Sequence, residues 1–209
     1  MAPGGDVNGA ITWMLVALGL GVVVVRRRSM AVGLVSVQAL ALAAVAALGA
    51  SSGEEVAAAA ALAARATGLA VLLLFVVSRT REPRPVRAGV APLSRAGLAV
   101  VLALALIWLV PTIGLESDDA ERATLALVAF GLITVATRRA TLLQVVGIVL
   151  VENALALAAL ELPGASSLVI ELGVALDLTL VALVAVVFHE RIFTEFGAGD
   201  TAALRTLRD

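Results

Sequence analysis

RRATLLQVVGIVLVENALALAAL, residues 138–160, decides how this chain folds. Behind a pair of arginines it runs apolar for the roughly 20 residues a helix needs to cross the hydrocarbon core of a bilayer. Thr141, Gln144, Glu152 and Asn153 interrupt it, too few to give a helix a continuous polar face. Glu152 sits near its centre. A charge at the middle of a bilayer costs about 2.5–3.5 kcal/mol on insertion scales and more in simulations. An acid kept there is expected either to be paired or to exchange protons.

Working outward, comparable apolar runs cover about 9–26, 29–50, 55–78, 90–113, 121–137, 140–161 and 166–188. The chain is 61% hydrophobic, with a mean hydropathy of +1.07, where a soluble domain would be about 45–50% apolar. The expected fold is an all-α polytopic membrane protein of about seven transmembrane helices. The first and fifth runs are short, but each ends at an arginine cluster whose side chains can snorkel to the headgroups.

The loops divide by charge. One set carries Arg26–Arg28, then Arg79, Arg81, Arg84, Arg87 and Arg95, then Arg138 and Arg139, and last Arg191, Arg205 and Arg208. The other carries Asp6, Glu54 and Glu55, then Glu116, Asp118, Asp119 and Glu121, then Glu161. Arginine accumulates on the cytoplasmic side of membrane proteins. Seven spans with the N-terminus outside and the C-terminus cytoplasmic therefore satisfy every loop, with Arg65 and Arg122 as the exceptions among the arginines. MAPGGD lacks the basic opening of a signal peptide, so the first span is expected to stay uncleaved.

Two stretches resemble each other. VALGLGVVVVRRRSMAVGLVSVQALALAA (16–44) aligns with VAFGLITVATRRATLLQVVGIVLVENALALAA (128–159), and AARATGLAV (63–71) with ALDLTLVAL (175–183). This alignment sets Gln38 over Glu152 and Arg65 over Asp177. The expected organisation is two parallel three-helix repeats, 1–80 and 116–190. A cytoplasmic loop and linking helix (81–115) joins them, and a tail follows (191–209).

Several chemistries drop out. There is no cysteine, and His189 is the single histidine. Iron–sulfur ligation and haem held by a His pair are excluded, and no carboxylates are spaced around His189 for zinc. All fifteen basic residues are arginine, so a retinal-type Schiff base is excluded too. No nucleophile–base set, phosphate motif or nucleic-acid patch is present, so no cofactor and no catalytic residue are expected.

What remains is a set of polar residues at one depth: Gln38, Arg65, Glu152 and Asp177. In one reading Arg65 and Asp177 form a buried ion pair, while Gln38 and Glu152 hold helices together by hydrogen bonds. In the other, Glu152 and Asp177 are proton-relay stations, Arg65 tunes Asp177, and Gln38 is the neutral counterpart in the first repeat. Asn153 is expected to bond between helices. Gln144 belongs to a solvated inner end or an entry path, and His189 to the headgroup level or to proton capture. Glycines 19, 21, 33, 68, 131, 147 and 173 are expected to permit close helix packing.

The second repeat resembles the small membrane subunit of respiratory complex I, also seen as the C subunit of multisubunit sodium/proton antiporters. The likeness rests on RRATLLQVVGIVLVENALALA, on Asp177 in the place of a third-helix acid, on His189 at an inner end, and on the late GDTAALRTL. In that subunit the second-helix glutamate falls near Val149; here the acid is Glu152, about one turn along. Over nearly its full length the chain is similar to component E of the hydrogenase-4 family, found with formate hydrogenlyase-like and group-4 nickel–iron hydrogenase complexes. The resemblance implies a non-redox subunit in a bacterial plasma membrane, beside antiporter-like and quinone-subunit-like membrane proteins. The redox chemistry would lie in a cytoplasmic module. It implies a role in moving protons or sodium ions. A structural assembly subunit, and a subunit of a cation/proton antiporter, are the alternatives.

Overall fold

The computed structural model describes residues 5–79 and 90–162, and within them the chain is all-helical. The helices are α1 (Gly5–Val24), α2 (Arg28–Gly49), α3 (Gly53–Arg79), α4 (Pro92–Leu109), α5 (Asp118–Thr137) and α6 (Thr141–Leu160). Helices α2 to α6 are long and apolar enough to cross a membrane, and α1 contributes a shorter apolar stretch, Gly9–Val24. Six of the expected spans are thus helices. The seventh, 166–188, lies outside the described residues, as do Asp177, His189 and the tail.

Local chemistry sets the boundaries. α3 begins in a capping box: the Ser52 hydroxyl accepts from the Glu55 N–H (3.2 Å), while Glu55 Oε2 accepts from the N–H groups of Ser51 (2.6 Å) and Ser52 (3.3 Å). α5 begins at Asp118, three residues before the expected 121. Asp118, Asp119 and Glu121 fill its first turn, where negative charge meets the positive end of the helix dipole. α4 stops at Leu109 although its apolar run continues to 113. Val110 precedes Pro111, whose ring forces that residue into an extended conformation (ψ 125°). The chain then turns through Gly114, at φ +84°, a left-handed conformation that glycine adopts without steric cost.

Helices α5 and α6 form the centre. Two-thirds of the apolar window of α6 is buried (67%), against 17% for α4. α1 packs on α5, α2 on α6, α4 on α5 and α1, and α3 mainly on α2. The core joins Leu15 and Val22 of α1 to Leu127 and Phe130 of α5 and Leu143 and Leu150 of α6. Outward faces of α3 and α4 are apolar and bare, with Val71, Val101 and Trp108 all well exposed. In water such a surface would drive association; facing acyl chains it is what a spanning helix requires.

Lipid supplies no hydrophobic drive between helices, so association rests on close van der Waals fit. α5 and α6 achieve it where Gly131 faces Gly147. A Cβ on Gly131 would lie 2.7 Å from the Gly147 carbonyl oxygen, and one on Gly147 would lie 3.0 Å from that of Gly131. Gly19 lies close against the side chains of Leu127 and Phe130, and Gly21 against that of Leu34. Gly33 and Gly68 differ from expectation: a Cβ there would meet nothing within 4 Å, so neither is needed for packing inside this chain.

The ends of the bundle carry opposite charge. Arg138, just past α5, donates to the carbonyls of Val22 (3.4 Å), Val23 (3.0 Å) and Val25 at the end of α1. At the far end, a Cβ on Gly9 would approach Asp119 at the start of α5. α1 and α5 therefore run parallel, with their arginines at one end and the acids Asp119, Glu116 and Glu161 at the other. Arg138 itself departs from expectation. It is buried, not snorkelling, because the last carbonyls of α1 need donors and its guanidinium supplies them.

Candidate functional site

Gln38, Arg65 and Glu152 stand near the midpoints of α2, α3 and α6 respectively, so side-by-side packing brings them to one level. Arg65 Nη1 lies 2.7 Å from Glu152 Oε1, and their side chains are 9% and 2% exposed. Arg65 Nη2 donates to Asn153 Oδ1 (3.4 Å). Asn153 Nδ2 donates to Gln38 Oε1 (2.9 Å) and to the Val35 carbonyl (3.4 Å). Gln38 Nε2 donates to the Leu15 carbonyl of α1 (2.8 Å). One polar chain thus links α3, α6, α2 and α1 through the middle of the bundle.

Each partner has a physical reason. Glu152 and Asn153 are adjacent on α6, so they point about 100° apart and meet different neighbours. Glu152 is reached by the long side chain of Arg65 from the peripheral α3, and Asn153 faces α2 directly. Each amide uses its oxygen as an acceptor and its nitrogen as a donor, the arrangement that leaves the fewest buried polar atoms unmatched. Beyond the ion pair, Glu152 Oε1 has no hydrogen-bond partner among the described residues, and neither has Arg65 Nε. The carboxylate and guanidinium are thus mutually neutralised and incompletely coordinated.

This geometry bears on the sequence readings. The described partner of Arg65 is Glu152; the expected partner, Asp177, lies outside the described residues. Glu152 therefore does not stand without an opposite charge. Asn153 does bond between helices, as its type and place suggested. Counting back from the ALALAA shared by 39–44 and 154–159, Gln38 stands where Asn153 does, and these two residues touch. Gln144 lines no path in this arrangement: its Nε2 donates to the Arg138 carbonyl (3.0 Å) and pins the α5–α6 turn. His189 lies outside the described residues.

The chemistry available is limited but specific. An amide N–H cannot pass a proton on without changing tautomer, so the Asn153–Gln38–Leu15 branch holds helices and conducts nothing. Glu152 carries the one carboxyl group of the network, the kind of side chain that takes up and gives back protons. Among the described residues, no group of three His, Cys, Asp or Glu side chains could hold a metal ion.

Sequence reasoning missed two buried arginines. Arg138 caps α1, and Arg95, grouped with the loop arginines in the sequence, is wholly buried (0% exposed) in the first turn of α4. The signal for Arg95 was there: it heads the buried stripe Arg95, Ala99, Ala103, spaced at four residues along one helix face.

At the acidic end, the Glu116 N–H donates to the Glu161 carbonyl (2.9 Å), joining the start of α5 to the end of α6. Burial, and after it the nearby Glu116 carboxylate, push the Glu161 carboxyl above the ordinary carboxylate range. The folded chain therefore holds this proton more tightly than the unfolded one. The stabilisation is complete below the unfolded value and is lost as pH rises through the raised one. Glu161→Gln is expected to raise the thermal midpoint at pH 7 and to leave it unchanged near pH 4, measured in detergent. An equal difference at both pH values would contradict this.

The chain matches no family model, no curated protein and no solved structure.

Proposed function

We propose that this chain is a non-redox membrane subunit of a complex I-related arm, of the group-4 nickel–iron hydrogenase or formate hydrogenlyase kind. It contributes to proton or sodium translocation and couples a cytoplasmic redox module to antiporter-like subunits. Glu152 is its protonation station at mid-membrane, held by Arg65, and Asp177 and His189, both outside the described residues, are the further stations proposed from the sequence. The observation that carries the reading is the Arg65–Glu152 pair, buried in the centre of an apolar bundle. A titratable acid is costly there, and intramembrane acids of this kind mark ion pathways in pumps and transporters.

The sequence repeat supports it further. α1 packs on α5 and α2 on α6, equivalent helix against equivalent helix, as two parallel repeats about an axis along the membrane normal would pack. The arginine end faces the cytoplasm and the acidic end faces outside, the orientation the charge rule favours, in a bacterial plasma membrane.

A second reading is kept because of one observation. The amide branch from Asn153 to the Leu15 carbonyl locks helices together without conducting, as a purely structural assembly subunit would require. A multisubunit cation/proton antiporter is the third setting.

Affinity purification of the tagged full-length chain from its native membrane separates the settings by the company it keeps. Antiporter-like and quinone-subunit-like proteins with a cytoplasmic redox module are expected to co-purify. Antiporter subunits with no redox module would move it to the antiporter class. Recovery of the chain alone would overturn the proposal.

A further inference from the structure

The arginine end of the bundle holds a group that nothing described above explains. Arg95 is 0% exposed, and its Nε, Nη1 and Nη2 have no hydrogen-bond partner among the described residues. Its neighbours worsen its position. Arg26 acts on it as a like charge, and Arg95 acts in the same sense on Arg138. It also lies in the first turn of α4, the positive end of a helix dipole, where cations are disfavoured. That turn has neither a side-chain cap nor an acidic residue. A helical side chain leans toward the N-terminus of its helix, so the Arg95 guanidinium is carried back toward the uncapped amides.

Three cationic side chains thus gather near an uncapped helix start, with no anion beside them among the described residues. A buried guanidinium without an acceptor or water loses the full solvation of its charge, a penalty far above that of an unmatched neutral group. One bound anion with several acceptor oxygens would serve Arg95, the unmatched Arg138 Nε and the free amides together.

We propose that Arg95, Arg138 and Arg26 form a binding site for a phosphate group, supplied by the headgroup of an anionic phospholipid. Depth selects the lipid as the source. The three arginines lie at the ends of apolar helices, where lipid phosphates lie in a bilayer. Arg26 is exposed and opens the site to that layer. Leu93, beside Arg95 in sequence, is 86% exposed, and Leu98 and Val101 continue the bare face of α4 along which acyl chains can lie. The proposal does not rest on membership of any larger complex.

The test uses the full-length chain in neutral detergent and in nanodiscs of phosphatidylcholine with or without phosphatidylglycerol. Native mass spectrometry reads retained lipid, and thermal unfolding reads its effect. Wild type is expected to retain phosphatidylglycerol in preference to phosphatidylcholine and to be stabilised by it. Each basic residue near a lipid surface changes affinity about fivefold. Arg26→Gln is accordingly expected to bind about fivefold more weakly, and Arg95→Gln more weakly still. Arg122→Gln, at the acidic end, should bind as wild type does. Because Arg26 is exposed, its variant tests the site even if Arg95→Gln fails to fold.

Equal retention of both lipids, or retention unchanged in Arg26→Gln, would overturn the proposal. Equal stabilisation of lipid-free protein by inorganic phosphate would overturn the lipid as the source and assign the site to the free ion. Loss of the lipid whenever partner subunits are present would overturn it in favour of an acidic protein contact.

Discussion

Arg65→Met is expected to destabilise the folded bundle by about 3–5 kcal/mol, the usual cost of leaving one member of a buried ion pair behind. The substitution keeps an unbranched, flexible apolar stem and removes the guanidinium with its charge and donors. Glu152, 2% exposed, would then face an apolar interior with no cation in reach among the described residues. Asn153 would lose the donor to its Oδ1 while keeping its bond to Gln38. The damage should therefore centre on α3 and α6 and spare the α2–α6 contact. Arg65→Met with Glu152→Met should recover most of the loss, since apolar replacement of a whole buried pair is often neutral or stabilising. Unfolding in mixed detergent micelles measures both. A double variant as unstable as the single one would mean that the charge pair is not what the single substitution breaks.

That asymmetry was only partly legible in the sequence. The six described helices could be read directly, because each apolar run is bracketed by arginines or by acids and none has a soluble helix's polar face. The capping box at Ser52 and Glu55 and the acids at Asp118 and Asp119 also mark their helix starts in plain text. The partner of Arg65 could not be read in this way. Aligning the two halves set Arg65 over Asp177, but equivalence in a repeat is not contact. What brings Arg65 to Glu152 is the packing of α3 on α2 and of α2 on α6, a matter of helix arrangement that no alignment contains.

The end arginines illustrate the same limit. A cluster at a loop reads as solvated charge, and Arg26 and Arg27 are exposed as that reading requires. Arg138 and Arg95 belong to the same clusters and are buried, one by the needs of the α1 carbonyls and the other by its place on the packed face of α4. Composition gives the end of the bundle on which such residues fall. Only the packed helices give their partners.

The second large effect concerns transport. Glu152→Gln keeps the shape of the side chain and an oxygen that can still accept from Arg65, but it removes the group that can bind and release a proton. Arg65 thus keeps a hydrogen-bond partner, whereas Arg65→Met leaves Glu152 with no donor in its place. Assembly is therefore expected to survive while cation movement is not. The charge swap Arg65→Glu with Glu152→Arg separates function from support. It restores opposite charges but moves the acid from the central α6 to the rim. Recovered folding without recovered transport is the expected outcome, and recovery of both would favour a structural pair.

Cation uptake into inverted membrane vesicles carrying the Glu152→Gln complex, normalised to the amount of complex assembled, tests the central claim most directly. Uptake near background in a fully assembled complex is the predicted result. Uptake at the wild-type rate would show that the acid at the centre of this bundle holds helices and carries no ions.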